Sequence, residues 1–359
     1  MKSTRSRTSS LILALCLGVA IVQSAVAAEL YSVRRLSPSQ GGSAVAHSIN
    51  SAGQVAGGSG VPHAPSGVGV IWSGRGLRDI QGPVRGDYTS ALGINDNQRV
   101  VGSTNTDTAV RAFEWTAHSG LRFLPLLLGD NSSEALAINN AGTIAGFSGG
   151  ASGLRAVLWT SAGIRNLGIL PGGDHSEAVG LNSGGDAVGF SNSSAGSRAI
   201  LWTSSGAMRD LGTLPGDSSS AASAINDARQ VVGSSEGDAG SRAVLWSESG
   251  GIQNLGTLPG GDYSQAVAIN NSGQVVGTSD SSLGLRAFVW TEAAGMVDLN
   301  TLIPQNSNVI LSSAVAINQA GQIVAIGGLG HDLANDRLTV FDDEVHGGPS
   351  YVFLLTPLR

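Results

Sequence analysis

Residues 264–302 read SQAVAINNSGQVVGTSDSSLGLRAFVWTEAAGMVDLNTL and contain one complete structural repeat. Alternating apolar residues predict a strand over 264–270, and a β-branched run predicts a second strand over 274–278. Residues 286–290 and 296–302 predict two further strands, and Asn, Ser and Gly residues separate the four segments. The stretch therefore predicts four short strands joined by tight turns.

The same pattern returns along the chain at intervals of 43 or 44 residues. Its clearest mark is the tryptophan of the third strand, which accounts for all six tryptophans: Trp72, Trp115, Trp159, Trp202, Trp246 and Trp290. The Ile-Asn pair of the first strand recurs seven times, once as Leu-Asn, at Asn50, Asn95, Asn139, Asn182, Asn226, Asn270 and Asn318. Four-stranded units of roughly 40–45 residues are typical of β-propeller blades.

The two ends of the chain complete one repeat between them. Residues 351–355 (YVFLL) supply the third strand of the last copy, and the chain ends at Arg359 without a fourth strand. Residues 30–36 (LYSVRRL) precede the first Ile-Asn, where a fourth strand belongs. Pairing these segments would close the ring without a free strand edge. We therefore predict an all-β fold, a seven-bladed β-propeller of four-stranded blades, closed by the N-terminal strand.

The N-terminus has the pattern of a secretory signal peptide. Lys2, Arg5 and Arg7 precede an apolar run over 11–22, and small residues follow at 25–28. The run is too short for an ordinary membrane span. Cleavage after Ala27 fits as well as cleavage after residue 28. We expect a signal peptide over 1–28, a single propeller domain over 29–359, and export to the periplasm or the extracellular space.

Removal of residues 1–28 removes the only cysteine, Cys16, and the only lysine, Lys2. The mature chain then has no residue for a disulfide, a thiol nucleophile or a lysine Schiff base. Its 17 arginines against 26 acidic residues give a formal charge of −9, compared with −6 for the whole chain. Such an acidic chain without basic runs argues against nucleic acid and anionic membrane surfaces. No second apolar segment is long enough to span a membrane, and we expect a monomer.

The repeat resembles that of the bacterial extracellular HAF-repeat proteins. The matching motifs are Leu-Gly-Thr-Leu-Pro-Gly-Gly-Asp at 255–262, Ile-Asn-x-x-Gly-Gln-Val-Val-Gly at 269–277 and Arg-Ala-Phe-x-Trp at 286–290. The resemblance covers nearly all of the mature chain. Arg stands here where the family has the His of His-Ala-Phe. The resemblance implies export and repetition, and it implies no defined activity.

Two sets of charged residues recur with the repeat. We expect aspartates in the connections between blades and arginines at the start of third strands to form pairs, because a guanidinium can hold a carboxylate through two hydrogen bonds. Because these residues recur in nearly every blade, we favour a structural role for them. The alternative is that they form an acidic rim that binds a cation or a glycan. The members are Asp87, Asp130, Asp174, Asp217 and Asp262, and Arg111, Arg155, Arg198, Arg242 and Arg286.

The best candidate site lies where the period breaks. The last repeat carries about 15 additional residues over 327–350, between its second and third strands. Its ligand-type side chains are His331, Asp332, Asp336, Asp342, Asp343, Glu344 and His346. Two histidines among five acids suit an oxygen-rich metal site or a general acid–base pair, although no known ligand spacing occurs. We predict no cofactor, and a divalent cation is the alternative.

These features favour an exported, non-enzymatic binding or scaffold propeller. We expect a protein or glycan ligand on the face that carries the long loop. The alternative is a secreted propeller hydrolase or lyase that acts on glycans or peptides and uses carboxylates on that face.

Overall fold

Seven sheets of four antiparallel strands form a ring. The computed structural model describes residues 30–39, 42–60, 67–82, 88–330 and 351–358. Within these residues, each sheet is one blade, and neighbouring blades pack against each other around the ring. The prediction of a seven-bladed β-propeller is confirmed.

We number the strands in chain order and number the blades 1 to 7 in the chain order of their innermost strands. The four strands of each blade are given from the channel outward. Blades 1 to 3 contain β2 (Ser43–Ile49), β3 (Val55–Gly60), β4 (Gly67–Ser73), β5 (Gly76–Ile80), β6 (Thr89–Ile94), β7 (Val100–Asn105), β8 (Val110–Thr116), β9 (Gly120–Phe123), β10 (Ser132–Ile138), β11 (Ile144–Gly150), β12 (Gly153–Thr160) and β13 (Gly163–Asn166). Blades 4 to 6 contain β14 (Ser176–Leu181), β15 (Ala187–Ser193), β16 (Gly196–Trp202), β17 (Met208–Asp210), β18 (Ser219–Ile225), β19 (Val231–Gly237), β20 (Gly240–Ser247), β21 (Gly251–Asn254), β22 (Ser264–Ile269), β23 (Val275–Ser279), β24 (Arg286–Thr291) and β25 (Gly295–Asp298).

Blade 7 is built from both ends of the chain. It contains β26 (Val309–Ile317), β27 (Ile323–Leu329), β28 (Tyr351–Pro357) and, as its outer strand, β1 (Tyr31–Leu36). β1 pairs antiparallel with β28 over its full length. The predicted closure by the N-terminal strand is therefore confirmed.

The fourth strand of blade 6 is shorter than the sequence predicts. β25 ends at Asp298, and a 3-10 helix follows over Leu299–Thr301. The Asp298 carboxylate accepts a hydrogen bond from the Asn300 main-chain N–H at 2.9 Å and so caps this helix. A second 3-10 helix spans Gln305–Ser307 before β26.

The hydrophobic core is divided into layers between adjacent blades. In one layer, Ala145 and Leu158 of blade 3 pack with Ala187 and Trp202 of blade 4. Every tryptophan except Trp115 is buried, and each of the other layers likewise joins two blades. The buried tryptophans therefore serve inter-blade packing.

A bulge interrupts the first strand of each blade, and a glycine of the second strand accommodates it. In blade 5 the register shifts between Ala222 and Ala224. A Cβ at Gly233 would overlap the main-chain oxygen of Ala221. Blades 1 to 6 all repeat this arrangement, so this glycine is required for close approach of the two strands.

The part of the chain described by the structure contains no helix with the length and hydropathy needed to cross a membrane.

Candidate functional site

The propeller has two faces with different connections. The turns between strands one and two and between strands three and four lie on one, which we call the turn face. The loops between strands two and three and the connections between blades lie on the other, which we call the connection face. In blade 7, β27 ends and β28 begins on the connection face, on either side of the long insertion in the sequence. Its predicted ligands His331, Asp332, Asp336, Asp342, Asp343, Glu344 and His346 lie outside the described residues.

Two of the repeated aspartates bind serines of their own blades. Asp130 Oδ2 accepts a hydrogen bond from Ser148 Oγ at 2.7 Å, and Asp217 Oδ2 accepts one from Ser235 Oγ at 2.6 Å. Each serine lies on a second strand, so the carboxylate fixes the connection to the blade that follows it. Asp87 lies outside the described residues.

The repeated arginines meet the aspartate-bearing connections through main-chain oxygens. Arg155 Nη1 donates to the Asp174 carbonyl at 3.2 Å, and Arg242 Nη1 donates to the Asp262 carbonyl. The carboxylates nearest Arg198 and Arg286 belong instead to fourth-strand residues, Asp210 at 3.9 Å and Asp298 at 4.0 Å. Arg111 Nη2 donates to the Leu124 carbonyl at 3.1 Å. Arg155 and Arg242 thus tie each blade to its successor, although through a different acceptor from the expected carboxylate.

A closed ring of asparagines surrounds the channel near the turn face. The Nδ2 of each Ile-Asn asparagine donates to the main-chain oxygen of the equivalent asparagine in the next blade, at 3.0 to 3.5 Å. The ring closes where Asn318 donates to Asn50 at 3.0 Å. All seven side chains are buried. The sequence marks these residues by repetition, but only the structure shows that they hydrogen-bond from blade to blade.

The residues directly after these asparagines line the mouth of the channel on the turn face. There they border a cavity of about 400 Å³. Two similar triads occupy this mouth, one from blades 1 to 3 and one from blades 4 to 6. Their members are Ser51, Asp96 and Asn140 in the first and Ser183, Asp227 and Asn271 in the second.

The two carboxylates at this mouth are already bound by their neighbours. Burial acts to raise the pKa of Asp96, but hydrogen bonds from Ser51 and Asn140 outweigh it, so that its pKa is lowered. The pKa of Asp227 is lowered in the same way, against burial, by Ser183 and Asn271. These contacts favour a structural role for both carboxylates.

The channel wall nearer the connection face is asymmetric. The first-strand residue just before the bulge is Val45, Ser90, Glu134, Glu177, Ala221, Gln265 and Ser313 in blades 1 to 7. Only blades 3 and 4 carry a carboxylate there. Glu134 lies five residues before the asparagine of its blade, or about 16 Å along an extended strand. Val45 of blade 1 is 45% exposed, whereas Ser90 of blade 2 is buried, so solvent access at this level differs between blades.

The same two blades place aromatic rings beside these carboxylates. Glu134 lies opposite Phe147 in the strand register, and Glu177 lies opposite Phe190. His175 stacks on Phe190 with a centroid separation of 5.3 Å, and its Nε2 lies 2.8 Å from Glu177 Oε1. We call Glu134 and Glu177, with Phe147, Phe190 and His175, the acidic–aromatic cluster. Sequence analysis missed this cluster, although the glutamates stand out when the repeats are aligned on the bulge.

Negative charge in this cluster is not fully compensated. Burial raises the pKa of Glu134, and repulsion from Glu177 raises it further. A positive charge beside Glu134 would relieve both effects. Within the described residues, no three His, Cys, Asp or Glu side chains converge to form a metal site.

Comparisons with known proteins support the fold and leave the activity open. No family model matches the chain, and no curated protein is significantly similar to it in sequence. Virginiamycin B lyase from Staphylococcus aureus is similar in structure, with a TM-score of 0.56 and 12% sequence identity, over 91% of this chain and 100% of that chain. YCF48 bound to the D1 peptide gives a TM-score of 0.51 and 10% identity, over 92% and 95% of the two chains.

The propeller domain of the Trilobed protease from Pyrococcus furiosus is a third similar structure. Its TM-score is 0.52 at 10% identity, over 74% of this chain and 82% of that chain, and it is described as having an open velcro topology. The present chain differs, since β1 closes blade 7. At such low identities, these similarities establish the propeller fold alone.

Proposed function

We propose that this protein is an exported, non-enzymatic binding propeller whose ligand enters the channel from the connection face. The observation that supports this function is the acidic–aromatic cluster, which distinguishes blades 3 and 4 from the other five blades at this level of the channel. A repeated structural feature would occur in most blades, whereas a binding site requires a local difference. The pattern of residues 1–28 supports export.

The ligand that suits the cluster is a protein segment with a basic side chain. Carboxylates pair with an ammonium or guanidinium group, and phenylalanine faces attract cations. Burial raises the pKa of Glu134 and repulsion from Glu177 raises it further, and a cationic group beside this carboxylate would counter both effects. YCF48 was solved with a peptide bound, so a propeller of related architecture can accommodate a peptide.

The long insertion of blade 7 belongs to the same proposal. Blade 7 stands across the ring from blades 3 and 4, and its strands β27 and β28 meet the insertion on the connection face. We therefore keep the histidines and acidic residues of this insertion as proposed ligand contacts.

The test is direct binding to the mature protein, residues 29–359. Fluorescein-labelled hexalysine and hexaglutamate are titrated at low salt, and fluorescence anisotropy is measured. We expect hexalysine alone to bind, and we expect the double variant Glu134→Gln, Glu177→Gln to bind it about 10- to 100-fold more weakly, which is the effect of losing one or two charged hydrogen bonds. Glutamine at this position already occurs in blade 6 as Gln265, so the variant should fold.

The matched control is Glu236→Gln, which removes one carboxylate from blade 5 outside the cluster. It should change hexalysine affinity less than about twofold, since Glu236 is exposed to solvent and lies outside the cluster, and exposed ion pairs contribute little. Equal losses in the double variant and the control would show that binding reflects net charge, and the proposal would then fail.

A second candidate function is a hydrolase or lyase. It is favoured by the raised pKa of Glu134 beside Glu177, since a protonated and an ionised carboxyl group can act as acid and base. This function predicts turnover of polysaccharide or peptide substrates that Glu134→Gln abolishes. The binding function predicts no turnover by the unmodified protein.

A further inference from the structure

Blade 2 departs from the repeat in the middle of its third strand. Glu114 stands where the other blades carry an apolar residue: Ile71, Leu158, Leu201, Leu245, Val289 and Leu354. Its side chain is only 9% exposed. An ionised group at this depth needs a partner, because burial of an unpaired charge is costly.

Elsewhere this position helps to fill the space between blades. Leu158 packs in the same layer as Trp202, and Leu201 packs in the same layer as Trp246. Between blades 2 and 3, a cavity of about 450 Å³ lies beside Glu114 and Trp159 on the turn face. This volume is within the usual range for small-ligand sites. We call this cavity the arginine groove.

Two arginines enclose Glu114 in this groove. Arg99 donates through Nε to Glu114 Oε1, and Arg122 Nη2 lies 3.2 Å from Glu114 Oε2. Two guanidinium groups against one carboxylate leave a local positive charge in an acidic protein. Each guanidinium has five N–H donors, so most of those on Arg122 remain for a ligand, and its side chain is 76% exposed.

The turn of blade 3 supports Arg99 from the other side. Gly142 has φ +83°, and a Cβ there would overlap the Arg99 guanidinium. The glycine therefore satisfies the turn geometry and also leaves room for the arginine. The groove is thus formed by both blades.

We propose that the arginine groove binds the carboxylate of an acidic sugar, as found in polysaccharides built from uronic acids. Arg122 and Arg99 would hold the carboxylate, since a guanidinium group matches its geometry. Thr143 and Ser161 line the groove with hydroxyl groups suited to sugar hydroxyls. Phe123 lies at the edge with 38% of its surface exposed and offers an apolar face to a sugar ring. This site is on the opposite face from the acidic–aromatic cluster and does not depend on the function proposed above.

The test is isothermal titration calorimetry of the mature protein with trigalacturonate. The uncharged trisaccharide of galactose is the ligand control. We expect only trigalacturonate to bind, and we expect Arg122→Ala to weaken its binding at least about tenfold, as for loss of a charged hydrogen bond. Binding of both sugars with similar affinity would overturn the proposal, as would absence of binding.

Arg209→Ala is the matched protein control. Arg209 occupies the equivalent fourth-strand position of blade 4, opposite Leu201. The affinity of the Arg209→Ala variant for trigalacturonate should differ from that of the unmodified protein by less than about twofold. An equal loss in both arginine variants would indicate a general charge effect and would refute the site.

Two further measurements separate the remaining explanations. Glu114→Gln removes the competing carboxylate and should tighten trigalacturonate binding several-fold, whereas weaker binding by the folded variant would contradict the assigned role of the arginines. Pentaglutamate tests the nature of the ligand. Equally tight pentaglutamate binding that Arg122→Ala also weakens would assign the groove to an acidic peptide and overturn the sugar assignment.

Discussion

Replacement of Asn318 by alanine should destabilise the propeller more than the small number of side-chain atoms removed suggests. Asn318 closes the asparagine ring, because its Nδ2 donates to the Asn50 carbonyl at 3.0 Å and to Gln322 Oε1 at 2.8 Å. Its Oδ1 accepts from the main-chain N–H groups of Ala320 at 3.0 Å and Gln322 at 2.9 Å. Alanine removes all four hydrogen bonds at the junction between blade 7 and blade 1.

The expected loss follows from what remains after the change. Each hydrogen bond has a net value of about 0.5–1.5 kcal/mol, and a buried group left without a partner costs about 1–3 kcal/mol. Water can reach the turn at Ala320, which is exposed, so only part of the loss falls on buried groups. We therefore expect Asn318→Ala to lower the free energy of unfolding by about 2–4 kcal/mol.

Urea denaturation followed by tryptophan fluorescence measures this loss. The control is Asn97→Ala, because Asn97 also donates to a carbonyl of the next blade, that of Asn140 at 3.1 Å, but at an exposed position. The control should lose less than about 1 kcal/mol, since water replaces the bond. Similar losses in the two variants would refute the idea that burial gives the ring its stabilising effect.

Three shorter predictions concern other parts of the fold. Gly233→Ala should destabilise the fold by several kcal/mol, because a Cβ would overlap the Ala221 carbonyl. Gly74 has open space around it, so Gly74→Ala should be tolerated. Equal urea midpoints for the two variants would contradict this prediction. Deletion of residues 30–36 should lower the melting temperature and promote self-association, because the outer edge of β28 would lose its partner strand. An unchanged melting curve with a monomeric mass by light scattering would argue against closure by β1. The pKa of Asp227 is lowered in the folded protein, so this carboxylate stabilises the fold above about pH 4, and the stabilisation is lost as pH falls through the folded pKa. The urea midpoint of Asp227→Asn should therefore fall less below pH 4 than that of the unmodified protein. An unchanged acid dependence would exclude this contribution.

The blade architecture was predictable because it depends on local patterns repeated many times. Each strand alternates or is β-branched, each turn contains Asn or Gly, and Trp72 and its equivalents mark the period. The closure was also predictable, because residues 30–36 match the strand that the last repeat lacks. The end of β25 was not predictable. The apolar character of 296–302 continues past Asp298, but the Asp298 side chain caps a 3-10 helix that begins there. Local apolar pattern alone does not distinguish strand from cap.

The sites were harder to predict because they depend on which positions face each other. Glu134 and Glu177 are separated by 43 residues and differ from their equivalents only when the blades are aligned on the bulge. Arg99 lies just before β7, Glu114 on β8 and Arg122 on β9; the register of β8 and β9 places Glu114 opposite Arg122, and Arg99 reaches Glu114 through its side chain. Side-chain type suggested the Asp–Arg pairs, but the reach of Arg155 and Arg242 selected the main-chain oxygen instead.

The two channel ends differ in how far their polar groups satisfy one another, and this difference bears on function. At the turn face, Asp96 and Asp227 receive hydrogen bonds that lower their pKa values, so a ligand there would have to displace contacts that stabilise the fold. Near the connection face, burial and repulsion from Glu177 raise the pKa of Glu134, so a cation there would stabilise the charged form of this side chain. Binding there should release a proton from Glu134 and strengthen as pH rises through its titration. The channel end with uncompensated charge is therefore the end at which a basic ligand gains most from binding.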